Sequence, residues 1–318
     1  MRAAGTLAGL CVLAATLTWA AAAQADGSAN QSAPLPNGSQ TAVVAPARPF
    51  TAILLGSSQL GWVSESALEA QYALWGRDVH VQPAFRGLTP NPNDPTMLGW
   101  ERHGYRYVWT VASSDYATAG EPLYVCTANQ PTCKGTLDSV LSRPGCIGLF
   151  MHEVVSDLAA GNGWDWATAG RSLDWATIAL YETEARRYGK KLIWSEPAFG
   201  WQALAANATF ASLATDGGPS LVPMFATNFP ADVPYASAAA SAVVHTYAAM
   251  QLGESLQSWY FRDQGLTPTV SGTEALAQQG LALGATWYEV DGAPPDMQTT
   301  PRSLYMQGVD TFIGALPR

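Results

Sequence analysis

From residue 48 onward, short apolar or β-branched runs recur along the chain. They fall at 50–55, 78–85, 104–112, 146–152, 190–195, 220–227, 256–262 and 284–290. Their apolar character is continuous rather than strictly alternating, which fits strands covered on both faces. Stretches with helical spacing separate most of them: 64–75, 173–188, 236–252, 273–283 and 303–313. The second of these is the clearest. Trp175, Ile178, Ala179, Tyr181 and Ala185 lie near helical spacing, Arg186 and Arg187 suit the negative end of the dipole, and Gly189 stops the helix. The segments 86–103 and 113–133 carry Pro90, Pro92, Pro95, Pro122 and Pro131 and read as long loops.

Strand and helix alternating about eight times over roughly 270 residues predicts an α/β fold, a single (β/α)8 TIM barrel with long loops at the C-terminal face of the strands. The competing architecture, a doubly wound open sheet, lacks its dinucleotide fingerprint: Gly56-Ser-Ser-Gln-Leu-Gly61 follows the first strand instead of Gly-x-Gly-x-x-Gly.

Composition narrows the classes. The chain is 48% hydrophobic and 13% charged, enough to fill a large core and incompatible with a disordered protein. Its net charge of −9 argues against nucleic acid and against an anionic membrane surface as partners. Residues 1–25 read as a signal peptide: Arg2, an apolar Ala-rich run to Ala23, then Ala23-Gln24-Ala25 as a small-x-small cleavage site. Residues 26–47, rich in Ser, Asn, Pro and Gly, read as a disordered leader, which leaves 48–318 as the barrel domain. A secreted or periplasmic monomer is expected, with no membrane contact after cleavage. In that oxidising setting Cys126 and Cys133, which bracket a short polar loop, are expected to pair, and Cys146 is a core thiol.

Candidate chemistry lies at the strand ends, where parallel barrels place it. Taking alternate residues as inward, Leu149, Met151 and Glu153 share a face, as do Leu192, Trp194 and Glu196. Trp259, Phe261 and Asp263 form a third set, and Trp287, Glu289 and Asp291 a fourth. Splitting a glycosidic bond takes one carboxyl to protonate the leaving oxygen and a second to attack the sugar or activate water. Glu196, beside Trp194, Pro197 and Phe199, has the apolar neighbours that raise a carboxyl pKa. It is therefore the expected acid/base, with Glu153 as nucleophile or base and Glu289 as the reserve for either role. Gln82, Asp115, Asn228, His152, Trp194, Trp201, Trp259, Asp263, Trp287 and Asp291 are the expected sugar contacts.

The run Trp194-Ser-Glu-Pro resembles the Trp-Asn-Glu-Pro signature of the large retaining clan of secreted (β/α)8 glycoside hydrolases, with Ser195 where Asn is usual. That clan carries the acid/base on its fourth strand, whereas Glu196 falls on the fifth apolar run here. Under the clan's arrangement Glu289 would be the nucleophile. Other barrel glycosidases place the nucleophile on strand four and the acid on strand five, which suits Glu153 and Glu196. The resemblance implies a carbohydrate substrate and catalysis without cofactor. Three rivals stand beside it. One is a non-catalytic carbohydrate-binding barrel involved in polysaccharide handling. The second is a metal-dependent hydrolase, which the missing His-x-His argues against. The third is a Ser hydrolase, which lacks its Gly-x-Ser-x-Gly elbow.

Overall fold

The computed structural model describes residues 51–56, 70–71, 73–75, 79–81, 93–113, 123–154, 173–197, 201, 204–226, 251–257, 267–292 and 302–316. The expected signal peptide, the expected leader and the expected contacts Gln82, Asp115, Asn228, Trp259 and Asp263 lie outside the described residues, as does most of the expected helix 236–252.

Eight strands follow one another: β1 Thr51–Gly56, β2 Val79–Val81, β3 Arg106–Ser113, β4 Cys146–His152, β5 Lys191–Pro197, β6 Leu221–Ala226, β7 Leu252–Gln257 and β8 Ala285–Gly292. Each pairs in parallel with the next, and β8 pairs with β1 from Thr51↔Trp287 to Gly56↔Gly292, so the sheet closes on itself. Between and after the strands run α1 Pro95–Arg102, α2 Cys133–Leu141, α3 Trp175–Arg187, α4 Ala208–Gly217, α5 Val270–Ala282 and α6 Leu304–Ala315.

Local chemistry explains where the helices start. Asp174, Asn207, Thr269 and Ser303 each cap a helix by accepting a backbone N–H of its first turn. The proline-rich stretch expected as loop holds α1. Pro95 opens that helix, where its missing N–H costs nothing, and Asp94 accepts from the Met97 amide at 3.2 Å. The apolar periodicity also left α2 and α4 unmarked.

The seventh strand begins at Leu252, earlier than the apolar run at 256–262 suggested. At Gly253 a Cβ would stand 2.6 Å from Met224 Cγ, so the position admits no side chain. Two residues on, Ser255 meets a polar layer described below. Hydrophobicity is a poor guide to a strand whose inward positions must be small or polar.

Side chains sort into two layers. Val108, Phe150, Ile193, Val222, Met224 and Trp287, all from strands, form one apolar cluster that fills the lumen. Their strand neighbours Tyr107, Trp109, Leu149, Met151, Leu192, Trp194, Leu221, Phe225, Tyr288 and Val290 belong to a second cluster, shared with residues of the helices. The period of two along each strand thus fixes which residues face the lumen: 150 and 152 on β4, 193 and 195 on β5, 287, 289 and 291 on β8.

A disulfide joins Cys126 to Cys133 at the start of α2, with Cα atoms 5.3 Å apart. Cys146 is free and buried. Burial pushes its thiol up to about 11, against the pull of the nearby Lys190 ammonium. In the native protein, iodoacetamide at about pH 8 should therefore modify Cys146 no faster than the chain unfolds. Stoichiometric labelling within minutes, before any loss of structure, would contradict this placement.

Beneath the N-terminal ends of β3 and β4, the Arg143 guanidinium grips the Glu101 carboxylate through Nε at 2.9 Å and Nη2 at 2.5 Å, and Tyr107 Oη donates to the same carboxylate at 2.7 Å. Burial alone would raise the Glu101 pKa, but the Arg143 and Tyr107 hydrogen bonds outweigh it and hold the carboxyl below its usual range. A carboxyl lower in the folded than in the unfolded state contributes fully above the ordinary glutamate range. The contribution is lost as pH falls through the depressed folded value. Arg143→Gln should cost about 2 kcal/mol near neutrality. In thermal scans its gap to the wild type should narrow as the pH is lowered towards about 3. A gap independent of pH would contradict the pairing.

Candidate functional site

The apolar filling of the lumen gives way to polar groups at the C-terminal ends of the strands, the end where parallel barrels carry their sites. His152 ends β4 and lies in register with Ser195 on β5. On the other side of the lumen, Ser255 on β7 lies in register with Glu289 on β8. The four side chains meet. Ser195 Oγ donates to Glu289 Oε2 at 2.6 Å, and His152 Nε2 stands 3.4 Å from Glu289 Oε1. Ser255 supplies a further side-chain hydrogen bond to the Glu289 carboxyl. The His152 ring lies against Phe150, with centroids 5.9 Å apart and planes at 21°, which fixes its orientation. Asp291, on the same face of β8 and two residues further along, is 5% exposed.

Glu153 adjoins this cluster and is only half-buried. It is the one non-glycine residue with positive φ among the described residues, at 49°. That left-handed conformation costs on the order of 1–2 kcal/mol. It is held by the Glu153 N–H, which donates to Ser195 O at 2.8 Å and extends the β4–β5 ladder by one residue. The strain turns the chain sharply at the rim of the lumen. Burial pushes the Glu289 pKa up; His152, Ser195 and Ser255 draw it down, and the charge of Glu153 pushes it up again. Two carboxyl groups that sense one another, one sealed and one reaching solvent, are the raw material of acid–base chemistry.

Three expectations about this site need correction. Glu196 does not face the lumen. It is adjacent to Ser195 on a regular strand, so the two point to opposite faces, and Glu196 Oε1 accepts from Trp194 Nε1 at 2.8 Å in the helix-facing layer. Trp194 and Trp201 are fully buried and present no surface to a sugar. Trp194 packs edge-on against Trp175, Trp201 and Phe210, and Trp201 Nε1 donates to Met224 O. Trp287 faces the lumen as expected but forms part of its apolar filling, with Nε1 donating to Gln251 at 3.0 Å.

The structure does bring together His152, Glu153, Glu289 and Asp291. It adds Ser195 and Ser255, which the sequence reading did not select. One donor atom each from His152, Glu289 and Asp291 lies within 4.8 Å of the others, a set able to hold a metal ion.

No protein-family model matches the chain, and no curated protein matches it. Solved structures match in fold. The catalytic core of xylanase A aligns with a TM-score of 0.51 at 11% identity, over 83% of this chain and 98% of that one. The catalytic module of a family 98 glycoside hydrolase from Streptococcus pneumoniae TIGR4, in complex with the H-disaccharide blood group antigen, aligns with a TM-score of 0.49 at 15% identity. That match covers 76% of this chain, which spans 46% of the module's length. Tryptophan synthase from M. tuberculosis aligns with a TM-score of 0.43 at 13% identity. The xylanase core establishes a TIM-barrel-like α/β fold. Fold alone leaves the activity to be argued from the site.

Proposed function

We propose that the protein is a glycoside hydrolase whose working carboxyl pair is Glu289 and Glu153, cleaving glycosidic bonds of a poly- or oligosaccharide. The observation that carries this reading is the position of Glu289. It sits at the C-terminal end of the lumen, hydrogen-bonded by Ser195 and Ser255, faced by His152 and within electrostatic reach of Glu153. Glu289, the sealed member, is the proton donor. Glu153, which reaches solvent, is the partner that attacks the sugar or activates water. The full eightfold βα repeat, with long loops over this end, forms the rest of the cleft. Gln82, Asp115, Asn228, Trp259 and Asp263, which follow β2, β3, β6 and β7 in the sequence, are its proposed sugar contacts, with the amide, carboxylate and ring groups that a polyol needs. Removal of residues 1–25 and the Cys126–Cys133 disulfide suit action outside the cytoplasm. Among the described residues, no helix is long and apolar enough to cross a membrane.

Purified protein incubated with a panel of polysaccharides should release reducing ends from at least one of them. Saturable binding of a glycan with no release from any member would replace hydrolysis with carbohydrate binding.

A further inference from the structure

We propose that His152, Glu289 and Asp291 form a binding site for a zinc-type divalent ion, and that an ion bound there withdraws Glu289 from catalysis. The second half rests on the function proposed above; the first does not.

The donor set comes first. An imidazole nitrogen with two carboxylate oxygens is a combination that zinc accepts as three protein ligands, leaving a fourth position open. It is a poor set for calcium, which seeks six or more oxygens, and for magnesium, which keeps its water. The donors come from the ends of β4 and β8, and all three residues are buried.

The spacing points the same way. His152 Nε2 and Glu289 Oε1 are 3.4 Å apart. That is long for an N–H···O hydrogen bond, which centres near ~2.9 Å and seldom exceeds ~3.2 Å. It matches the edge of a tetrahedron built on bonds of about 2.0–2.1 Å, which is ~3.4 Å. The third donor, on Asp291, lies within 4.8 Å of both. The broad terminal torsion of a carboxylate lets it close the triangle without moving β8. Ser195 fixes the other Glu289 oxygen and Phe150 fixes the imidazole plane, so two of the three ligands are already oriented.

An ion coordinated by Oε1 takes the lone pair that Glu289 needs to carry a proton, so zinc should inhibit hydrolysis rather than support it.

The test is titration calorimetry of the full chain with zinc chloride, and separately with magnesium chloride, on the wild type, His152→Gln and Asp291→Asn. Circular dichroism confirms that each variant is folded. The wild type should bind one zinc per chain, and each variant should bind it about 100-fold more weakly. Magnesium should give no comparable heat. Cobalt(II) in place of zinc should show the intense visible absorption of a tetrahedral site in the wild type and lose it in both variants. Equal zinc affinity in all three proteins, or no saturable binding, would overturn the site. Zinc that binds with the expected stoichiometry but leaves reducing-end release unchanged would overturn the inhibition. If no polysaccharide is cleaved but the calorimetry behaves as stated, the proposed hydrolysis falls and the metal site stands.

Discussion

Trp194→Ala should lower the stability of the barrel by about 4 kcal/mol and its thermal midpoint by ~10 °C. Trp194 is fully buried, and its ring is held by three aromatic neighbours, with centroids 6.2 Å from Trp175, 5.6 Å from Trp201 and 6.2 Å from Phe210. Truncation leaves a void that these rings cannot all collapse into, and interior packing tolerates few voids of that size. It also removes the N–H that Glu196 Oε1 accepts, leaving a buried carboxyl short of a donor. Trp194→Phe should restore much of the packing and none of that hydrogen bond, so its loss should fall between the two. Thermal scans of the three proteins decide the matter. A midpoint for Trp194→Ala within about 2 °C of the wild type would show that Trp194 does not anchor the helix layer.

Glu289→Gln should lower turnover by about 1,000-fold with the fold intact. The amide matches the carboxyl in shape and can still accept from Ser195, so the β5–β8 contact across the lumen survives. It has no proton to give to a leaving oxygen. General acid–base catalysis contributes on the order of 100- to 10,000-fold, so a loss of that size is what the removal of one proton donor implies. Glu153→Gln should also be impaired, because its carboxylate is the partner that attacks the sugar or activates water. Unchanged circular dichroism together with a fall in kcat, rather than a rise in KM, would mark both as chemical rather than structural effects.

Much of the barrel was legible. Its strands are nearly continuous apolar runs because both faces are covered, and this reading placed β1, β3, β4, β5, β6 and β8 within a few residues of where they lie. The same continuity concealed which face was which. On β5, Leu192, Ile193 and Trp194 are all apolar, so nothing in the run says whether Trp194 looks into the lumen or at the helices. A shift of one residue moves every side chain to the other face. That shift exchanged Ser195, which faces the lumen, for Glu196, which does not. Ser195 stands where the glycosidase signature has Asn, and that is the position that reaches Glu289. On β8 the alternation was visible, because Glu289 and Asp291 flank Val290, and there the inward face was read as the structure has it. The meeting of His152 with Glu289 and Asp291 could not be read from spacing, since β4 and β8 are brought together only by closure of the sheet. The His-x-His motif describes ligands on one strand, whereas the proposed zinc ligands come from two.

The proposed chemistry depends on which carboxyl faces the substrate. The most direct measurement is reducing-end release by Glu289→Gln and Glu196→Gln, side by side, on a polysaccharide that the wild type cleaves. The lumen site predicts background release from Glu289→Gln and release within about tenfold of the wild type from Glu196→Gln. The opposite order, with Glu289→Gln active and Glu196→Gln dead but folded, would contradict it.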